Sequence, residues 1–111
     1  MFEMDGTMLF VRKMKPVTAF YTDVLGFERV STPQFGEDRF VVLRSGSCLL
    51  KLHSASKPNG GRQKLQVAVA DLAAAREYLL GRKIRCGSMH NGYFDVKDPE
   101  RNIVQFHTGA L

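Results

Sequence analysis

Cysteine is scarce in this chain: Cys48 and Cys86 are the only two among 111 residues. Neither sits at a metal-ligand spacing, and the opening MFEMDG is too short and too acidic for a secretory leader. The expected state is therefore two small, buried thiols in a reducing compartment rather than a disulfide. Long hydrophobic runs are also missing. No stretch approaches the ~20 apolar residues of a membrane span, so a cytoplasmic protein without a membrane partner is expected. Clustered charge is lacking as well. The formal charge is +5, but Arg12, Lys13, Lys15, Lys57, Arg62, Lys64, Arg82, Lys83 and Arg85 are scattered over turns and strand ends. Without a recognition motif, that scatter describes a solvated surface and gives no reason to expect nucleic acid as a partner.

What is present is patterned hydrophobicity, at 44% of the chain. That content and length suit one globular domain over residues 1–111. Residues 7–12 alternate as a strand, with Leu9 and Val11 on one face and Met8, Phe10 and Arg12 on the other. The period then changes. Pro16 suits a first helical position, and Val17, Phe20, Tyr21, Val24 and Leu25 recur on one helical face until Gly26. Residues 27–31 read as a strand, 32–37 as a loop, and 38–44 as a strand. Ser45-Gly46-Ser47 turns the chain into another strand at 48–53.

After a polar loop at 54–63 the same order restarts. Residues 64–70 read as a strand, and Asp71 caps a helix in which Leu72, Ala75, Leu79 and Leu80 share a side and Gly81 ends the run. Residues 84–86 form a short strand and 87–91 a loop, with His90 at the surface. A final hairpin follows. Its strands are 94–97 and 103–107, and its turn, Asp98-Pro99-Glu100-Arg101, has Asp98 positioned to accept from backbone N–H groups ahead. In the last strand Val104 and Phe106 face one way, and Ile103, Gln105 and His107 the other.

The chain is thus an internal repeat, with module one at 7–53, a linker at 54–63 and module two at 64–109. Helices and strands do not alternate throughout, which excludes a doubly wound sheet. The expected class is α+β, a duplicated βαβββ unit. Each half alone offers too little core, so the halves are expected to share one.

In this order and spacing, Phe20-Tyr21 with Val24-Leu25-Gly26-Phe27, then Val67-Ala68-Val69-Ala70-Asp71-Leu72, then Asp98-Pro99 with Asn102, resemble the vicinal oxygen chelate superfamily. That group contains glyoxalase I, bleomycin resistance proteins and extradiol dioxygenases, and the resemblance runs from Thr7 to Gly109. It implies two modules curled into a cup-shaped, partly open β-barrel with the helices outside, and assembly as a homodimer. Two departures are local. Arg101 stands where the family favours glycine, at a cost of about 1 kcal/mol if that residue is left-handed. Lys13 stands where the second half has its acidic cap, Asp71.

In metal-dependent relatives, histidine or glutamate on the first and last strand of each module holds a divalent cation. Here the resemblance places Gly6, Lys51, Lys64 and Gln105 at those positions. A glycine, two ammonium groups and a neutral amide make a poor set for a cation, so no metal or other cofactor is expected. The alternative is a divalent-metal-dependent lyase, isomerase or dioxygenase using His53 and His107, which occupy equivalent places two residues further on, with Glu3 or Asp5 completing the shell.

Strand parity puts Phe10, Arg12, Lys51 and His53 from the first half on the inner face, with Lys64, Gln66, Tyr93, Asp95, Gln105 and His107 from the second. Met8, Leu49, Ala68 and Ile103 join them as apolar wall. The lining is net positive, which favours a small anionic or electron-rich organic ligand. Bleomycin-type antibiotics are cationic, so sequestering them is not expected. Lys51, Lys64, His53 and His107 can in principle move protons and Tyr93 can donate to an oxyanion. No nucleophile, base and orienting group stand at a diagnostic spacing, so no reaction is assigned.

Overall fold

The computed structural model describes residues 1–30, 36, 38–59 and 63–109. Most of the expected 32–37 loop and residues 60–62 of the linker lie outside them. The chain divides into two compact units, Met1–Asn59 and Gly60–Leu111.

In the first unit, β1 (Gly6–Val11) leads into α1 (Met14–Ala19), which continues as a π-helical turn over Phe20–Val24. β2 (Glu28–Val30), β3 (Phe40–Ser45) and β4 (Cys48–Ser54) follow. The sheet order is β1-β4-β3-β2, with β1 parallel to β4 and the other pairs antiparallel. The alternation seen in sequence sorts the faces. Leu9, Val11, Val41, Leu43, Leu50 and Leu52 are buried on one side, with Met14, Val17, Phe20 and Tyr21 from the helical segment. α1 packs against β4. Each such buried side chain contributes about 1.5–3 kcal/mol before chain entropy is set against it.

The helix opens at Met14 rather than Pro16. Proline is tolerated there because first-turn N–H groups have no intrahelical partner. Lys13 gives no side-chain cap. At the far end the Leu25 N–H reaches back five residues to the Phe20 carbonyl (3.2 Å), and Gly26 adopts φ +78°. Beside this widened turn Tyr21 is fully buried, edge-on to Phe20 (5.1 Å between ring centres) and stacked on Phe27 (5.9 Å). The hairpin closes at the Ser45–Cys48 pair, with Gly46 at φ +60°.

The second unit repeats the plan. β5 (Lys64–Ala68), α2 (Leu72–Gly81), β6 (Tyr93–Lys97) and β7 (Ile103–His107) give a sheet of order β5-β7-β6, again with the first strand parallel to the last. Asp71 caps α2 by accepting the Ala74 N–H at 3.0 Å. The helix ends at Gly81, Arg82 is its C-cap, and Lys83 just beyond adopts φ +62°. There the Lys83 N–H bonds the Leu80 carbonyl and the Ile84 N–H that of Leu79, both at 2.9 Å, the paired closure of a Schellman motif.

Because Ile84 spends its N–H on the helix, the expected strand at 84–86 shrinks to one antiparallel bridge, Cys86 with Val96. That bridge flanks β6 as β2 flanks β3. Phe94, Val96, Val104, Phe106 and Leu79 are buried, with Phe94 stacked on Phe106 at 5.1 Å. Leu80, expected on the buried side, is 45% exposed.

The β6–β7 turn has the foreseen chemistry. Buried Asp98 accepts from the Glu100 and Asn102 N–H groups with Oδ1 and from Asn102 Nδ2 with Oδ2, each at 2.9 Å. Arg101 is left-handed, at φ +69°. The fold is α+β, two βαβββ modules whose second copy has its second strand reduced to a bridge. No helix among the described residues is long and apolar enough to cross a membrane.

Candidate functional site

Strand pairing assembles each sheet's polar face row by row. On the first sheet, the side away from α1 places Phe10, His53 and Phe40 abreast, then Met8, Lys51 and Val42. The His53 ring stands between two phenyl groups, edge-on to Phe10 at 5.7 Å and to Phe40 at 5.9 Å. Its Nδ1 lies 2.9 Å from the Ser54 carbonyl. A carbonyl only accepts, so Nδ1 carries a proton, and in the neutral ring the lone pair is on Nε2. Phe10 is 44% exposed, and its N–H is bonded by Asn59 Oδ1 at 2.9 Å. Arg12 stands apart from this group: β1 ends at Val11, and Arg12 lines a cleft beside α1.

On the second sheet the face opposite Phe94, Val96, Val104 and Phe106 carries three rows. They are Lys64, Ile103 and Lys97; Gln66, Gln105 and Asp95; and Ala68, His107 and Tyr93. Gln66 Nε2 donates to Gln105 Oε1 at 3.0 Å, and Lys64 Nζ donates to Asp95 Oδ2 at 3.2 Å while lying 5.9 Å from the centre of the Tyr93 ring. The ion pair is part-exposed, so it contributes no more than about 1 kcal/mol. Asp95 Oδ1 is buried and accepts no hydrogen bond from the described residues. His107 Nδ1 accepts the Gly109 N–H at 2.8 Å, which puts the proton of the neutral ring on Nε2.

Two participants escape a parity argument. Phe40 comes beside His53 only through hairpin register, which the two-residue Gly46-Ser47 loop would have given. His90 stacks on Tyr93 at 4.8 Å across a bridge closed by Asn91-Gly92, with Gly92 at φ +92°. The Asn-Gly pair was the available signal.

The four positions that the family uses for a cation do not fit one. A Cβ at Gly6 would run into the Leu49 carbonyl oxygen and lie 2.7 and 2.8 Å from the Leu49 carbon and nitrogen. No side chain fits there while β1 and β4 stay paired. Lys51 and Lys64 bring positive charge, and Gln105 Oε1 is occupied by Gln66. His53 offers Nε2 to a metal, whereas neutral His107 presents a proton at that atom. Among the described residues no three His, Cys, Asp or Glu side chains gather as a metal would need. Nor is Cys86 prepared as a nucleophile: burial pushes its thiol above the ordinary range, outweighing the opposite pull of the Arg76 guanidinium, while Cys48, expected to be buried, is exposed.

Comparison with known proteins agrees with this architecture. No curated protein matches the chain in sequence. Among solved structures it is similar to lactoylglutathione lyase from Agrobacterium tumefaciens, with 21% identity, a TM-score of 0.78, and 96% of this chain and 93% of that one covered. A bleomycin-binding protein from bleomycin-producing Streptomyces verticillus, complexed with copper(II)-bleomycin, aligns at 23% identity and a TM-score of 0.70 over 98% of both chains. An integron cassette protein from the mobile metagenome of V. cholerae aligns at 21% identity and 0.75, over 99% and 97%. At such identities these likenesses establish the fold alone. A family model covers residues 3–106, and on that match the chain belongs to the glyoxalase/bleomycin resistance protein/dioxygenase superfamily.

Proposed function

We propose that this protein binds a small organic molecule, anionic or electron-rich, without a metal ion, and does so as a cytoplasmic homodimer. The observation that carries this reading is the chemistry at the family's cation positions: a glycine sealed by the Leu49 carbonyl, two ammonium groups, and an amide engaged by its neighbour. The surroundings support a ligand of that kind. Phe10 and His53 offer aromatic edges beside Lys51, and on the second sheet Lys64, Gln66, Tyr93, Asp95, Gln105 and His107 offer paired donors and acceptors. Lys51 and Lys64 supply the attraction for negative charge, and the aromatic groups supply contact area. Arg12 belongs to the same reading only as a rim cation. The His53 tautomer, with Nε2 open, is the one feature that favours a metal-dependent lyase, isomerase or dioxygenase using His53 and His107.

One preparation separates the two. Protein expressed with added Ni, Zn, Fe and Mn is analysed for metal content, then screened by thermal shift against aromatic and aliphatic carboxylates. The proposal expects substoichiometric metal and a rise in Tm of a few degrees with at least one acid, as binding to the folded state requires. Stoichiometric metal that is lost in His53→Ala would refute it.

A further inference from the structure

A concavity lies on the α1 side of the first sheet. Leu9, Leu50 and Leu52 alternate with Met8, Lys51 and His53, so the face under α1 is the reverse of the one carrying Phe10 and His53. Arg29, paired with Leu43, projects to the α1 side of the edge strand β2. Between α1 and that edge is an open cleft of about 1060 Å³. Among the described residues four cations line it, Arg12, Lys13, Lys15 and Arg29, against two carboxylates, Asp23 and Asp38, a surplus of two positive charges for that lining. Met14, Pro16 and Ala19 supply apolar wall between them. Thr18, 8% exposed, is also part of the lining, and its buried hydroxyl has no hydrogen-bond partner among the described residues.

We propose that this cleft is a second ligand site, for a phosphomonoester with a small apolar body. Arg12, Lys13, Arg29 and Asp23 already interact with neighbours, so the attraction rests on the summed charge of the described lining, not on any one unengaged cation. Coulomb energy scales with ligand charge, so a phosphate dianion gains about twice what a carboxylate gains from the same lining. Guanidinium and ammonium groups together suit phosphate oxygens. The volume far exceeds a bare phosphate and falls near the upper end of small-molecule pockets, while the apolar wall gives the ester's body a surface to cover. The two carboxylates count against an extended polyanion lying across the cleft. Arg12 apart, this site shares no residue with the proposed function, since it uses the other side of the sheet.

Amide chemical shifts of the full chain, titrated at low ionic strength with phenyl phosphate, inorganic phosphate and benzoate, test the proposal. Phenyl phosphate is expected to shift residues 12–23, 29 and 38 with millimolar or tighter affinity. Inorganic phosphate and benzoate should each bind more weakly by about fivefold or more. The double variant Lys15→Gln/Arg29→Gln, which alters only exposed groups and should keep the parent spectrum, is expected to weaken phenyl phosphate by about tenfold. Equal affinity for inorganic phosphate overturns the ester, and equal affinity for benzoate overturns the phosphate. Shifts confined to β4 and β7, no shifts up to about 20 mM, or a double variant that binds like the parent overturn the site.

Discussion

Among the described residues two hold a backbone conformation that their own Cβ atoms oppose: Lys83 at φ +62° and Arg101 at φ +69°. Both are fixed by hydrogen bonds on either side, Lys83 within the closure of α2 and Arg101 through its N–H to the Asp98 carbonyl at 2.9 Å. The conformation costs roughly 1–2 kcal/mol, and glycine would return about half of it after its larger unfolded-chain entropy is subtracted. Lys83→Gly and Arg101→Gly are each expected to stabilise by about 0.5–1 kcal/mol, a rise of roughly 2–6 °C in Tm readable by calorimetry. Unchanged or lower Tm in both would mean that the side chains contribute contacts outweighing the strain. The sequence exposes only one of the pair. Arg101 announces itself by standing in an Asp-Pro turn where glycine is usual. Lys83 is concealed by Gly81, which ends α2 as expected but is not the left-handed residue: the Ile84 N–H to Leu79 bond places that conformation two residues on, at Lys83.

At the scale of elements, β1 is held against β4 by a contact without slack. The Gly6 backbone lies on the Leu49 peptide, and the Leu49 N–H donates to the Asp5 carbonyl at 2.7 Å. Gly6→Ala is therefore expected to cost about 3 kcal/mol, at the upper end for overpacking, because the obstacle is backbone and cannot swing aside. Urea unfolding measures it, and a midpoint like the parent's would mean that β1 is not seated this way. The same contact explains why a ligand-bearing side chain cannot simply be restored at this position. Strand and helix identities were legible because their periods, two and 3.6, differ so plainly between residues 7–12 and 17–25. The segment at 84–86 was not. Its Ile-Arg-Cys pattern alternates correctly, but pairing depends on which N–H groups remain after the helix has closed, and alternation carries no information on that. The candidate site divides likewise. Parity sorted Lys64, Gln66, Gln105 and His107 onto one face, yet the Gln66–Gln105 bond and the opposite tautomers of His53 and His107 depend on register and neighbouring backbone.

For the whole molecule, the question the sheets raise is what covers their margins. Each sheet is open. The first ends in β1 and the three-residue β2, the second in β5 and the single Cys86 bridge beside β6. Some margins are blunted in ways that discourage uncontrolled pairing: β2 carries Glu28 and Arg29, and the Phe10 N–H of β1 is taken by Asn59 Oδ1. A margin protected by charge and by a side-chain cap is poorly suited to indiscriminate strand addition. It remains compatible with a closed two-fold arrangement in which one copy's surface meets the same surface of another, and such an arrangement leaves no growing end. A formal charge of +5 per chain acts in the same direction, since it opposes open-ended stacking more than a single pairing. Sedimentation equilibrium should accordingly give twice the chain mass of 12.5 kDa at micromolar concentration, without higher species. A single-chain mass throughout the accessible range would remove the dimer from the proposed function while leaving both candidate ligand sites open to test.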